Sequence, residues 1–154
     1  MVRFDDIYRP MARRKEPLLS FTDSNITKVK KSILKNLSAD LLPKKWYEIN
    51  ESNPTFGHCH NATGVFYLIF GSENVHMYRA FDDSLKLVDE PMYHWFILNR
   101  HTNEIIDITS EQYSLYPKML SKLYKNKEKA GLLGFNYKKR VHTLLKRVKS
   151  DLKR

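Results

Sequence analysis

Cysteine occurs once in this chain, at position 59, so an internal disulfide is excluded and Cys59 is left with burial, metal ligation or thiolate chemistry. No apolar run approaches the roughly 20 residues of a membrane helix. An apolar h-region and small-residue cleavage site are also missing near the N-terminus, and a lone thiol fits a reducing interior, so the expected location is cytoplasmic. Internal repeats and low-complexity tracts are lacking too. Acidic residues are few for the size, with Asp+Glu 17 against Lys+Arg 27 and a formal charge of +10.

What is present is one domain's length of ordinary globular composition, 154 residues that are 42% hydrophobic and 29% charged. The positive excess gathers at Arg13-Arg14-Lys15, at Lys28 to Lys31 and above all from Lys118 to Arg154, whereas residues 48 to 112 are acidic or balanced. Lys138, Lys139, Arg140, Lys146, Arg147 and Lys149 crowd a short span in which a basic helix face could track phosphates or meet an acidic protein. A solvated face that keeps the protein soluble is the plainer reading, and no nucleic-acid-binding motif accompanies the charges.

Residues 1–21, with Pro10 and Pro17, read as an irregular N-terminal arm, and residues 22–154 as a single domain ending in a basic helix. Asp23 or Ser24 can cap a helix whose stripe is Ile26, Val29, Ile33, Leu34 and Leu37. Trp46-Tyr47 opens a loop through Asn53-Pro54 and Gly57. From Cys59 to Phe70 apolar residues fall nearly all round, as in a central helix, and Gly71 offers a stop. Strand character follows at Val75–Phe81, Ser84–Val88, Tyr93–Leu98 and Glu104–Thr109, with Asn99–Asn103 as a hairpin loop. That loop pairs Leu98 near Glu104 and His94 near position 108, with Asp107 in reach after a small slip. A helical turn is expected at Ser110–Tyr113, an apolar face at Met119, Leu120, Leu123 and Tyr124, and a last helix from Tyr137 to Leu152.

Thiol attack on an acyl carbon needs a nucleophile, a base and donors for the developing oxyanion. Cys59 opens a helix, where unpaired N–H groups favour a thiolate. His94 can act as base and acid, and Asp107 on the neighbouring strand can orient its ring. For the oxyanion, the Cys59 N–H and the Asn53 side-chain amide are the candidate donors. Rival readings treat Cys59 and His94 as core residues and Thr109 or Ser110 with Glu111 and Gln112 as a capping box. A metal reading would use His58, Cys59, His60 and His94, with Asp107, but a second cysteine pair and helical His spacing are missing, so neither metal nor cofactor is expected.

Asn53, five residues, Cys59, then a strand histidine and an aspartate resemble the papain-like cysteine hydrolases. More closely, Trp46…Asn53-Pro-Thr-Phe-Gly-His-Cys59, Tyr93-His94-Trp95-Phe96 and Ile106-Asp107-Ile-Thr-Ser-Glu-Gln-Tyr113 are similar to small bacterial and phage proteins of the YunG type, over residues 24–115. His58 stands where that group usually carries Gln. The resemblance implies an α+β papain-like fold, with the cysteine helix packed on a small antiparallel sheet and flanked by N- and C-terminal helices. It also implies a Cys59-His94-Asp107 triad, with an amide side chain six residues before the nucleophile at the oxyanion. Two functions stay open: a thiol hydrolase, deamidase or acyltransferase acting on an amide or thioester, and a non-catalytic binding protein using its basic surface.

Overall fold

A Thr-Asp-Ser start and a stripe of branched residues make the first helix, α1 (Asp23–Asn36), in the computed structural model, which describes residues 17–83, 92–131 and 135–153. The cap is Thr22, one residue earlier than expected: its Oγ1 accepts the Asn25 N–H at 3.2 Å, which leaves the Asp23 charge in the first turn beside the helix dipole. Val29 and Ile33 are buried, while Leu34 sits 40% exposed at the edge of the stripe. The expected strand Ser84–Val88 and the part of the arm before residue 17 lie outside the described residues. Residues 17–21 run along the core, with the Leu18 N–H on the Ile69 carbonyl at 2.7 Å and Phe21 against Phe70 at 5.3 Å.

Where a loop was expected after Trp46, a short helix forms, α2 (Tyr47–Ser52). Tyr-Glu-Ile-Asn-Glu-Ser contains no Gly or Pro, so nothing prevents one turn from closing until Pro54 restricts Asn53. The chain then turns through Gly57, at φ +79°, where a Cβ would lie 2.8 Å from Trp46 and 3.0 Å from Leu42. Only glycine fits there, and that close approach aims the chain into α3 (Cys59–Phe70). Eleven of its residues are buried, so burial on all sides outweighs the poor helix propensity of Thr63, Gly64 and Val65. Gly71, at φ +81°, stops it as expected.

Four strands, β1 (Val75–Asp82), β2 (Met92–Asn99), β3 (Ile105–Ile106) and β4 (Glu128–Ala130), form an antiparallel sheet in the order β3-β2-β1-β4. The α+β class read from the sequence is therefore present. β4 was not foreseen, because Glu-Lys-Ala carries no strand-type side chain; it joins the edge through its backbone and a 2.8 Å ion pair from Arg79 to Glu128. One face of the sheet meets α3, itself covered by α1 and by the last helix, α5 (Phe135–Leu152). Phe66, Ile69, Met77, Trp95, Ile97, Val141 and Leu144 fill that core. The other face packs Ala80 and Phe96 against Tyr113, Leu123, Met119 and Leu120, the last three from α4 (Pro117–Lys125).

The β2–β3 hairpin differs from expectation by one residue: Leu98 pairs with Ile105 and Ile97 with Ile106. Asn103 adopts φ 62°, and the loop closes with the Asn99 N–H on the Glu104 carbonyl at 2.8 Å, which keeps Glu104 in the turn. Continued, this register would set Asp107 opposite Phe96, on the same face as His94 and one diagonal step away. The ladder stops at Ile106, so the His94 stretch of β2 has no β3 partner beside it. The site is built into that gap.

Candidate active site

Three segments converge at the gap: the start of α3, the middle of β2 and the turn after β3. His94 alternates to the Tyr113 side of the sheet and is fully buried, with its ring edge-on to Tyr113 at 4.8 Å. Its Nε2 lies 2.6 Å from Asp107 Oδ2, and the Tyr124 hydroxyl donates to the same oxygen at 2.6 Å. Asp107 Oδ1 is buried without a hydrogen-bond partner among the described residues. The Asp107 carboxylate thus points its paired oxygen at the imidazole and is shielded from water, its side chain only 4% exposed.

Burial by itself pushes the His94 imidazolium down; the Asp107 charge and hydrogen bond, helped by a side-chain hydrogen bond to Cys59, more than reverse this and hold it up at about 9. Cys59 therefore lies near His94, whose Nε2 is taken by Asp107. The structure brings Cys59, His94 and Asp107 into one neighbourhood. Cys59 is 3% exposed, and its S–H is directed at the Tyr93 carbonyl, 3.7 Å away.

Asn53 is placed differently from its expected neighbours. Its Nδ2 donates to the Gln112 carbonyl at 3.2 Å, so the side-chain amide is committed to backbone in this geometry. It lines a cleft of about 650 Å3 together with Ile49, Thr55, Gln112, Leu115 and Tyr116. Among the described residues that line it, none belongs to the Cys59, His94 and Asp107 set; the cleft meets them across Gln112.

Gln112 is the site residue that sequence reasoning passed over. It is buried, with its Nε2 3.2 Å from His94 Nδ1 and donating to Thr109 Oγ1 at 3.0 Å. Its Oε1 accepts the Gly57 N–H at 3.4 Å. A backbone N–H can only donate, so the amide oxygen belongs on the Gly57 side and the NH2 on the His94 side. With Nδ1 unprotonated the Gln112 NH2 can donate to it; with the ring protonated, as Asp107 favours, that donation is lost and Gln112 must move off Nδ1.

The histidines of the disfavoured metal reading do not gather. His58 is fully buried with neither ring nitrogen hydrogen-bonded among the described residues, and His60 stacks edge-on against Trp95 at 4.7 Å. Burial lowers both to about 4. Among the described residues no group of three or more His, Cys, Asp or Glu side chains is arranged to hold a metal ion. Comparison of the chain with family models, with curated proteins and with solved structures found no match in any of the three.

Proposed function

We propose that this protein is a papain-like thiol enzyme that attacks an amide or thioester carbonyl through Cys59, with His94 moving the proton and Asp107 orienting His94. The observation that carries the reading is the buried His94–Asp107 contact of 2.6 Å on one ring nitrogen, with Cys59 close enough to help hold the ring's proton. A core histidine needs one hydrogen-bond partner for its N–H; a buried carboxylate on the ring and a thiol near it serve proton transfer. Catalysis would run in four steps. His94 takes the Cys59 proton, Sγ adds to the carbonyl carbon, His94 returns the proton to the leaving group, and water releases the acyl group from sulfur. The Gly57 N–H, turned into the site by the positive φ that only glycine accepts, and the Cys59 N–H would hold the oxyanion, joined by Asn53 once its amide leaves the Gln112 carbonyl.

An electrophilic thiol probe followed by peptide mass mapping tests this reading. Labelling at Cys59 that slows markedly in His94→Ala supports it, and equal labelling of both proteins counts against it.

The basic surface supports a second, independent reading. Along α5 two cavities repeat at seven-residue spacing: about 320 Å3 lined by Lys139, Arg140 and Thr143 with Asp40, then about 370 Å3 lined by Lys146, Arg147 and Ser150 with Lys35 and Asp151, the cations outnumbering the carboxylate in each. Residues seven apart share a helix face, so one face offers two cationic and hydroxyl-bearing hollows to a phosphate backbone. Arg147 is partly occupied, at 2.5 Å from Asp40. Nucleic-acid retention that falls steeply with salt and is lost in Lys139→Glu/Lys146→Glu is the expected result. Binding of an acidic peptide without nucleic-acid binding, or of neither, would refute it.

A further inference from the structure

Gln112 lines the cleft and carries a buried primary carboxamide, whose three contacts are those a substrate amide would need at this triad. The oxygen lies on a backbone N–H, that of Gly57 at 3.4 Å. The nitrogen lies on His94 Nδ1 at 3.2 Å, the atom that would deliver a proton to a departing amine. The second N–H is taken by Thr109 Oγ1 at 3.0 Å. A peptide or anilide amide has only one N–H and carries a substituent where the other would be, so Thr109 and the buried surroundings suit NH2 and not NHR. An ester or thioester supplies no N–H to either acceptor.

We infer that the site takes a primary carboxamide, a glutamine or asparagine side chain or a free small amide, and that the Gln112 carboxamide occupies that position in the resting molecule. This rests on the thiol-triad reading above and selects deamidation among the reactions open to it. The substrate enters by the cleft of about 650 Å3 and replaces Gln112 on Gly57 N–H and Thr109 Oγ1. Its nitrogen turns to His94 Nδ1 only once Sγ has added, so Nδ1 is open to the thiol proton after Gln112 leaves and the nucleophile is activated when a competing amide arrives. Sγ then forms a bond to the carboxamide carbon, His94 passes the proton to nitrogen, and the C–N bond breaks to release ammonia and leave a thioester. Water, deprotonated by His94, adds to the thioester, the C–S bond breaks, and a carboxylic acid departs as Cys59 regains its proton.

The test measures ammonia release from three amides, a glutamine peptide, an asparagine peptide and free glutamine, alongside iodoacetamide labelling of Cys59. Both are followed in the wild type, Gln112→Ala and His94→Ala. Removing the internal amide should speed labelling about tenfold, the equivalent of one hydrogen bond, and should lower KM for the carboxamide. If Gln112→Ala does not fold, Gln112→Asn keeps the polar group and withdraws it from Nδ1 by one methylene, with the same expected direction. Ammonia from a peptide alone assigns the substrate to a polypeptide side chain, and from free glutamine to a small metabolite; either supports the inference. Labelling that depends on His94 but no ammonia from any of the three in wild type or Gln112 variant overturns the carboxamide inference and leaves the triad standing. Labelling that ignores His94 removes the triad itself.

Discussion

A fully buried histidine stays neutral unless a neighbour holds its proton, and at His94 that neighbour is Asp107. With its value raised to about 9 from the ordinary 6.5, His94 contributes stability that is fully present below about pH 6.5 and is lost as pH rises through 9. Asp107→Asn removes the cause, so thermal melts of that variant should lose this alkaline slope. Its thiol chemistry should fall by about a hundredfold or more, since the ring loses its orienter. His58 works in the opposite direction: a neutral buried ring without a hydrogen-bond partner among the described residues, at about 4 when folded, loses stability as pH falls from 6.5 towards 4. His58→Leu should therefore raise the melting temperature, and more at about pH 5 than at about pH 7.5. Cys59, His94 and Asp107 were legible in the sequence because each has a recognisable local setting, a helix start or a strand. Gln112 was not, because its neighbours Thr109, Ser110 and Glu111 read as a helix cap, and its contact with His94 depends on the fold bringing the turn after β3 beside β2.

The element that fixes the site is the junction from α2 through Gly57 to α3. Trp46 covers Gly57 and stacks edge-on with Phe56 at 5.4 Å, so the turn is clamped from the side opposite the site. Gly57→Ala would drive a methyl into Trp46 and strain a positive φ, at a cost of about 1–3 kcal/mol. It should also lower His94-dependent labelling of Cys59 more than it lowers the melting temperature would suggest, because the Gly57 N–H moves with the turn; chemical denaturation and labelling on one sample check this. By contrast, Phe66→Ala in the middle of α3 should cost about 3–5 kcal/mol by leaving a cavity, a loss that denaturant unfolding reads directly. The α3 helix was readable from its all-round apolar pattern, and the hairpin from its polar loop. What escaped was set by backbone and not by side-chain pattern: the one-residue register shift through Asn103, the brief α2 turn, and β4, held by its ladder and by Arg79.

At the scale of the molecule, the chemistry and the charge lie apart. Cys59, His94 and Asp107 sit where β3 gives out, beside Gln112, while the cationic face of α5 runs along its packing against α1. Lys35 of α1 pairs with Asp151 of α5, and Arg147 of α5 with Asp40 in the turn after α1, exposed pairs worth about 0.5 kcal/mol each. Among the described residues no helix is long and apolar enough to cross a membrane. The α+β class and the order of the main elements followed from periodicity, whereas the approach of the turn after β3 to His94 depends on the three-dimensional arrangement. The direct measurement is the rate of Cys59 alkylation by iodoacetamide near neutral pH in three proteins, the wild type, His94→Ala and Asp107→Asn. A working triad predicts a fast wild-type rate, a slower one in Asp107→Asn and the slowest in His94→Ala, with all three folded by melting. Equal rates in the three folded proteins would contradict it and return Cys59 to the core.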